Sequence, residues 1–444
     1  MTIERPFSGP AEPVVYSRGE AVFDGCVIRD LAEELEPPFW LFSERILRQN
    51  ASDMKMWFSR PDGGPVRIYF SAKTNCEIAV LKIIRSSGLD AELACGHELE
   101  LCTRAGFDPA SMCFDGPYKR PADIKAALGA GVRMFNADSV PDAARISGIA
   151  RAEDLSAKLT FRLNLGIQGV LPDLAERYIG KFGVPVEKAT ESYTEAAAMK
   201  GIEIAGVSTH IGSQIPKVSF FIEAVRRLFR TAQKLEALGF NMEEVNLGGG
   251  FPSHSLKRMT FARSVLSLWG IHGGADSAPL SEYGRKISKE FMKRCAGLKS
   301  DPVMSIEPGR AVASTAGIFV APVVAVKDDW VFLDASTNYL PESFFFARRA
   351  IVPAAQPGRG KSVRKYNLAG SSLNSSDVLG LGMELPELEE GDLLVLLDAG
   401  AYTVGRANRF TTLCPPVYLI DRKGEPVLIR RQEEASDVMA PMVE

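Results

Sequence analysis

Apolar and polar positions along the chain alternate between two periods. Short runs rich in β-branched and aromatic residues recur as VRIYFSA (66–72), DAELA (90–94), SMCFDG (111–116) and VRMFNAD (132–138). They continue as LTFRLNL (159–165), GVSTHIG (206–212), EVNLGGG (244–250) and VMSIEPG (303–309). Between these runs the spacing becomes helical. It is clearest in FFIEAVRRLFRTAQKLEALG, where Phe221, Val225, Leu228, Ala232 and Leu235 fall on one helix face and Gly239 stands at the cap position. Strand alternating with helix predicts a parallel sheet, and eight such units are the number that closes a (β/α)8 barrel.

Beyond residue 311 the period changes to that of short strands broken by turn signals: GIFVAPVVAVKD, WVFLDAS, DLLVLLDAGAYT, PPVYLID and EPVLIRR. The first forty residues read the same way. The expected organisation is an α/β chain with a TIM-like barrel over 41–311 and a discontinuous, mostly β domain built from 1–40 and 312–444.

Composition narrows the function. The chain has 444 residues, 46 % hydrophobic and 24 % charged, which is the make-up of a water-soluble globular protein. A net charge of −3 and the lack of a basic run argue against nucleic-acid and membrane-surface binding. The N-terminal stretch has no apolar segment of signal-peptide type, and the longest apolar run, GIFVAPVVAV, is about half of the roughly 20 residues that a membrane span needs. Seven cysteines without a C-x-x-C pair are expected to be reduced thiols of a cytoplasmic protein. Four histidines, with no His/Cys pair read at ligand spacing, lead to the expectation of no metal site.

Candidate chemistry clusters where barrel enzymes keep it, at the C-terminal ends of the strands. VRIYFSAKTNCE runs a strand pattern straight into Lys73, although an amine is costly to bury. Such a lysine can form a Schiff base with an aldehyde cofactor, and the bland alternative is a lysine paired to a carboxylate. Asn136 and Asp138 follow strand four, Arg162 lies in strand five, and His210 and Ser213 close strand six. Gly248, Gly249 and Gly250 follow strand seven, leaving backbone N–H groups open to a phosphate, although three glycines alone also describe a tight turn. Glu307, Gly309 and Arg310 follow strand eight, and Tyr402 lies late in the β domain.

The ordered set of Lys73, HIGSQ, NLGGGFP, EPGR and DAGAYT, with KFG at 181–183, resembles the pyridoxal-phosphate (PLP) decarboxylases of the alanine-racemase-like fold over roughly residues 35–420. That family includes the ornithine and diaminopimelate decarboxylases. The resemblance implies PLP as cofactor, attached to Lys73. It further implies Glu307 on the pyridine nitrogen, His210 against the ring and Ser213, Gly248–Gly250 and Arg310 at the phosphate. Tyr402 is expected to add a hydroxyl, and Arg162 to lie near the cofactor hydroxyl. Glu307, where alanine racemases of this fold carry an arginine, favours decarboxylation over racemisation. Glu92 and Glu98 resemble acids near strand two and receive no specific role. A homodimer with shared active sites is also implied.

The substrate half departs from the pattern. Where the family has a G-P-x-C-[D/E]-x-x-D motif, this chain reads GSSLNSSD (370–377), with Leu373 in the cysteine position and Asn374 in the acid position. Leucine neither donates a proton nor ionises. In DASTNYLPESFFFARRAIVP, Glu342 stands nearest the arginine that grips the distal carboxylate in diaminopimelate decarboxylases, with Arg348 and Arg349 further on. Glu342 and Asn374 are therefore the candidate substrate-binding residues, and diaminopimelate and ornithine are both disfavoured. The expected function is decarboxylation of another amino acid, including a modified one or one bound to a carrier protein. Another carbanion fate (racemisation, transfer or oxidation) and a regulatory pseudo-decarboxylase are the alternatives.

Overall fold

A computed structural model describes residues 13–167, 181–253, 256–258, 277–341, 347–348, 351–355 and 362–443. The described residues fall into two compact units. One lies within Asn50–Pro252 and Ser277–Val312, and the other within Met1–Gln49, Ser253–Asp276 and Ala313–Glu444. The change-over expected at residue 41 is displaced to Gln49. The cause is the strand Phe39–Ser43, which pairs with Gly317–Lys327 and with Val417–Ile420, both in the β unit.

The first unit is a closed barrel of eight parallel strands: Val66–Ser71, Asp90–Leu93, Met112–Phe114, Met134–Ala137, Ala157–Asn164, Ile202–Thr209, Glu244–Asn246 and Val303–Ile306. Closure comes from the eighth strand pairing with the first, Ile306 opposite Ile68. Each strand overlaps one of the eight apolar runs of the sequence, the sixth starting four residues earlier, at Ile202. Their registers bring the C-terminal ends to one face: Ser71 stands opposite Glu92, Leu93 opposite Phe114, and Asn246 opposite Ser305.

The interior is packed rather than open. Tyr69, Cys113, Met134 and Ala205 form a buried cluster inside the barrel unit. At the N-terminal end of strand seven, buried Glu244 accepts from Ser305 Oγ at 2.7 Å and from the Tyr69 hydroxyl at 3.2 Å, and it pairs with Arg133. This plug satisfies a buried charge at the floor and leaves the opposite end for chemistry. Outside, the helix Val218–Ala237 buries Phe221, Val225, Leu228, Ala232 and Leu235, the stripe expected from the sequence. Its end is tightened by Gly239 at φ +95°, with Phe240 N–H donating to the Leu235 carbonyl at 3.2 Å.

Among its described residues the second unit is mostly strand, with the helix Ile28–Leu35 and the short helix Ala435–Met439. Its larger sheet runs in the order Val378–Pro386, Val363–Ala369, Trp330–Leu333, Gly317–Lys327, Phe39–Ser43, Val417–Ile420, Pro426–Arg430. Phe23, Phe39, Leu41, Ile318, Val320 and Val395 belong to its buried core. The N-terminal and C-terminal segments thus build one β structure together.

Candidate active site

Lys73 sits in the short 3-10 turn Ala72–Thr74 that ends the first barrel strand. Its Nζ lies 2.6 Å from both carboxylate oxygens of Glu92. Glu92 is fully buried and also accepts from Ser71 Oγ, its neighbour across the strand pair. Both donors converge on this one buried carboxylate, which holds the amine at the barrel mouth. The period-two alternation of strand two points Glu92 inward, which is the signal that would have assigned it a role. Glu98 is buried too, but its Oε2 accepts the Ala94 N–H at 2.7 Å, which places it at the start of the following helix rather than on Lys73.

Glu307 is buried, and its Oε1 accepts from Asn246 Nδ2 at 2.8 Å. Burial pushes its carboxyl well above the usual range, and the Glu92 and Asp115 charges push it further, against Lys73 and Asn246. A cation beside it is what would restore its charge. Asn246, absent from the expected set, positions Glu307 and also accepts the Gly248 N–H at 2.8 Å.

His210 accepts the Gly212 N–H on Nδ1 at 3.3 Å, so the neutral ring carries its proton on Nε2. Burial, then the Arg162 and Lys73 charges, push its imidazole down to about 3. Arg162 stacks its guanidinium 4.7 Å from the Phe182 ring centre, in the KFG segment, and donates to the His210 carbonyl at 3.5 Å. Ser213 Oγ accepts from Arg310 Nε at 3.4 Å. Gly309 precedes Arg310 and accepts the Val312 N–H at 3.0 Å through its carbonyl.

The glycines between these groups are required by space. At Gly248 the backbone has φ +67°, and a Cβ would stand 2.2 Å from the Thr209 carbonyl oxygen. At Gly249 a Cβ would stand 2.6 Å from the Glu307 carbonyl oxygen and 3.2 Å from His210 Nε2. The backbone after strand seven therefore packs directly against the ends of strands six and eight.

Two acids complete the mouth. Asp115, at the end of strand three, is buried, and its Oδ1 accepts no hydrogen bond. Burial raises its carboxyl, but Arg162, Lys73 and Lys119 more than offset this and hold it below the usual range. Asp138, after strand four, likewise has a buried Oδ1 without a donor, and burial pushes its carboxyl up. Asn136 is turned to Thr160, whose Oγ1 donates to its Oδ1 at 2.5 Å. Asp115 was not among the expected site residues, because one acid in SMCFDG carries no motif.

The barrel thus brings together Lys73, Arg162, His210, Ser213, Gly248–Gly250, Glu307 and Arg310. Tyr402 lies in the β unit at φ +56°, and its assignment rests on the resemblance alone. In the loop 370–377, Leu373 is 92 % exposed, and the Asn374 Oδ1 accepts from Ser376 N–H and Oγ at 3.0 and 2.9 Å. The loop is anchored by Asp377, whose buried carboxylate accepts from Ser336 Oγ, Thr337 N–H and Ser372 N–H at 3.0, 2.7 and 3.1 Å. Glu342 and Arg349 lie outside the described residues. Arg348 is described by its backbone, in a strand paired with Lys257.

Residues 46–314 match the family model for the pyridoxal-dependent decarboxylase, pyridoxal binding domain. The chain is 29 % identical over 434 residues to the diaminopimelate decarboxylase of Archaeoglobus fulgidus, covering 95 % of this chain and 97 % of that protein. It is 26 % identical over 442 residues to that of Methanocaldococcus jannaschii, covering 97 % and 96 %. The crystal structure of the diaminopimelate decarboxylase from M. jannaschii superimposes with a TM-score of 0.85 at 26 % identity, over 97 % of this chain and 98 % of that one. The fold is also that of SrLDC in complex with PLP and cadaverine, with a TM-score of 0.72 at 22 % identity, over 86 % of this chain and 90 % of that one.

The site accommodates PLP on its own terms. It offers an amine at the mouth, a buried acid suited to a protonated ring nitrogen, and a glycine cradle whose crowding excludes any Cβ beside Ser213 and Arg310. It also holds two buried acceptor oxygens, Asp115 Oδ1 and Asp138 Oδ1, without a donor among the described residues. Matched over more than half its length, this chain belongs to the pyridoxal-dependent decarboxylase family and is a PLP-dependent amino-acid decarboxylase.

Proposed function

We propose that the enzyme decarboxylates an α-amino acid at the mouth of the barrel, with PLP attached to Lys73. The observation that carries this reading is the placement of Lys73 against Glu92 and of Glu307 against Asn246 at the C-terminal ends of adjacent strands one, two, seven and eight. When bound, PLP supplies the electron sink that accepts the charge left as carbon dioxide departs. Glu307 is the residue proposed to hold the ring nitrogen protonated. Ser213, Arg310 and the Gly248–Gly250 N–H groups are proposed to hold the phosphate. Neutral His210 is proposed to lie against the ring without contributing charge, and Arg162 to donate to the phenol oxygen. Glu92 acts through Lys73, keeping the amine where a carbonyl carbon must meet it.

The substrate is proposed to carry a neutral, hydrogen-bonding distal group, read by Asn374 with Glu342. Asn374 both donates and accepts, whereas the acid it replaces could only accept. Its oxygen is occupied within its own loop, which favours its amide N–H groups for a substrate acceptor. A modified or carrier-bound amino acid suits this reading. Diaminopimelate is the second reading, favoured by the names of the full-length relatives.

The working form is proposed to be a cytoplasmic homodimer in which the 370–377 loop of one chain completes the site of the other. The fully exposed Leu373 at the loop tip supports it, since an apolar side chain in water gains by burial. Among the described residues no helix is long and apolar enough to cross a membrane.

One experiment tests the whole. Carbon dioxide release is followed across a panel of diaminopimelate, lysine, ornithine, neutral distal amides and acylated diamino acids. Release from none of them would sink the decarboxylase assignment of this site. A preference for diaminopimelate over every neutral analogue would overturn the distal reading. Mixing a Lys73→Ala chain with an Asn374→Ala chain should restore one intact site per heterodimer. No recovery with proven subunit exchange would count against shared sites.

A further inference from the structure

Immediately after the second barrel strand, Cys95, His97 and Glu98 bring a thiol, an imidazole and a carboxylate to one point. The Cys95 Sγ is 3.2 Å from His97 Nδ1 and 3.6 Å from Nε2, so either ring nitrogen reaches it. Ligand atoms of all three side chains lie within 4.8 Å of one another. None of the three is required by the chemistry at Lys73 and Glu307. Their spacing, C-x-H-E, differs from the C-x-x-C and C-x-x-H patterns, and the expectation of no His/Cys pair at ligand spacing fails here.

We propose that Cys95, His97 and Glu98 form a three-ligand site for a soft divalent cation, Zn²⁺ above others, with the fourth position open to water. Tetrahedral zinc takes sulfur at about 2.3 Å and nitrogen at about 2.0–2.1 Å, which separates the two donors by roughly 3.5 Å. The distances present in the protein differ from that by a small side-chain rotation. The three donors are not equally mobile. Glu98 is buried with Oε2 fixed by the Ala94 N–H at 2.7 Å, so its other oxygen is held in place. His97 is exposed and Cys95 is half-buried, which gives an ion access from solvent. A mixed sulfur, nitrogen and oxygen set selects zinc over magnesium or calcium, which prefer oxygen alone. Binding replaces the S–H proton of Cys95 by the metal, and that proton leaves to solvent.

The site is independent of the substrate assignment and is tested without it. Metal-free, PLP-loaded enzyme is titrated with Zn²⁺ in one sample and with Co²⁺, as a spectroscopic probe, in another. One equivalent should bind, and the cobalt form should show four-coordinate ligand-field bands with a thiolate-to-cobalt charge-transfer band. Cys95→Ser and His97→Ala should each weaken Zn²⁺ binding by roughly tenfold or more, and Cys95→Ser should remove the charge-transfer band. Both side chains reach solvent, so the variants are expected to keep the fold and their metal-free decarboxylation rate, which serves as the folding control. Zinc affinity unchanged in both variants, or a cobalt spectrum without thiolate character in the parent enzyme, overturns the site. An excess of Mg²⁺ should leave bound Zn²⁺ in place, and displacement by Mg²⁺ would equally refute a sulfur-ligated ion.

Discussion

Lys73 and Glu92 face each other across the first two barrel strands, the amine 2.6 Å from both carboxylate oxygens. The carboxylate is fully buried, while about a third of the lysine side chain reaches solvent. This asymmetry makes the pair a positioning device: the buried acid is the fixed partner, and the amine is held against it.

Removing one partner should therefore cost more than removing both. In cofactor-free protein, Lys73→Ala leaves the Glu92 carboxyl group buried with Ser71 as its partner among the described residues. The loss should be roughly 1–2 kcal/mol, less than for a fully buried pair because Lys73 is partly solvated. The Lys73→Ala/Glu92→Gln double variant should recover most of it. Urea unfolding of the four proteins gives the cycle, and a double variant no more stable than Lys73→Ala would contradict the pairing.

Glu307→Gln should lower kcat by roughly 10²–10³ while PLP affinity changes far less. The carboxylate stabilises charge that develops only during reaction, so its loss falls on the rate. Turnover under saturating PLP, set beside a cofactor titration of the same variant, separates the two. An unchanged kcat would remove Glu307 from its assigned position.

Gly249→Ala should weaken PLP retention by roughly tenfold or more, since a Cβ there meets the Glu307 carbonyl at 2.6 Å and forces strands seven and eight apart. Gly239→Ala, at the open end of a helix with nothing within 4 Å, is the control for a glycine strained in conformation but not in space. Cofactor absorbance after gel filtration reports both. Equal retention by the two variants would argue against a crowded cradle.

His210 should make the cofactor-free protein acid-sensitive. Its folded-state value is pushed down to about 3, below the ordinary 6.5, so the unfolded chain takes up a proton first as pH falls. Stability from this group is present above about 6.5 and is lost between there and about 3, at up to about 1.4 kcal/mol per pH unit. His210→Asn removes that dependence. The melting temperature of the parent, compared with the variant, should fall between pH 7 and pH 5, and parallel curves would show that His210 titrates normally.

The eight barrel strands were legible because each is a short apolar run whose ends carry turn residues, and backbone pairing needs little else. The strand-end positions of Lys73, Glu307 and the glycines were legible for a related reason: each stands at the end of one of these apolar runs or just past it. Asp115 was not legible, since its meaning lies in burial and an unsatisfied oxygen, which no one-dimensional pattern records. Asn246 was hidden in the same way, its amide serving two partners that strand pairing alone brings near.

By itself, then, the sequence determined the period of the barrel strands and the order of the strand-end motifs. Those are local properties, set by side-chain alternation and backbone freedom within a few residues. Tertiary structure alone decided that Glu92 pairs with Lys73, because the strand register sets Ser71 opposite Glu92, while Glu98, in the first turn of the next helix, accepts the Ala94 N–H. It also decided that Phe39–Ser43 pairs with strands nearly three hundred and four hundred residues away, displacing the domain change-over to Gln49. Pairing partners and burial are long-range quantities, fixed by which surfaces the whole chain excludes from water.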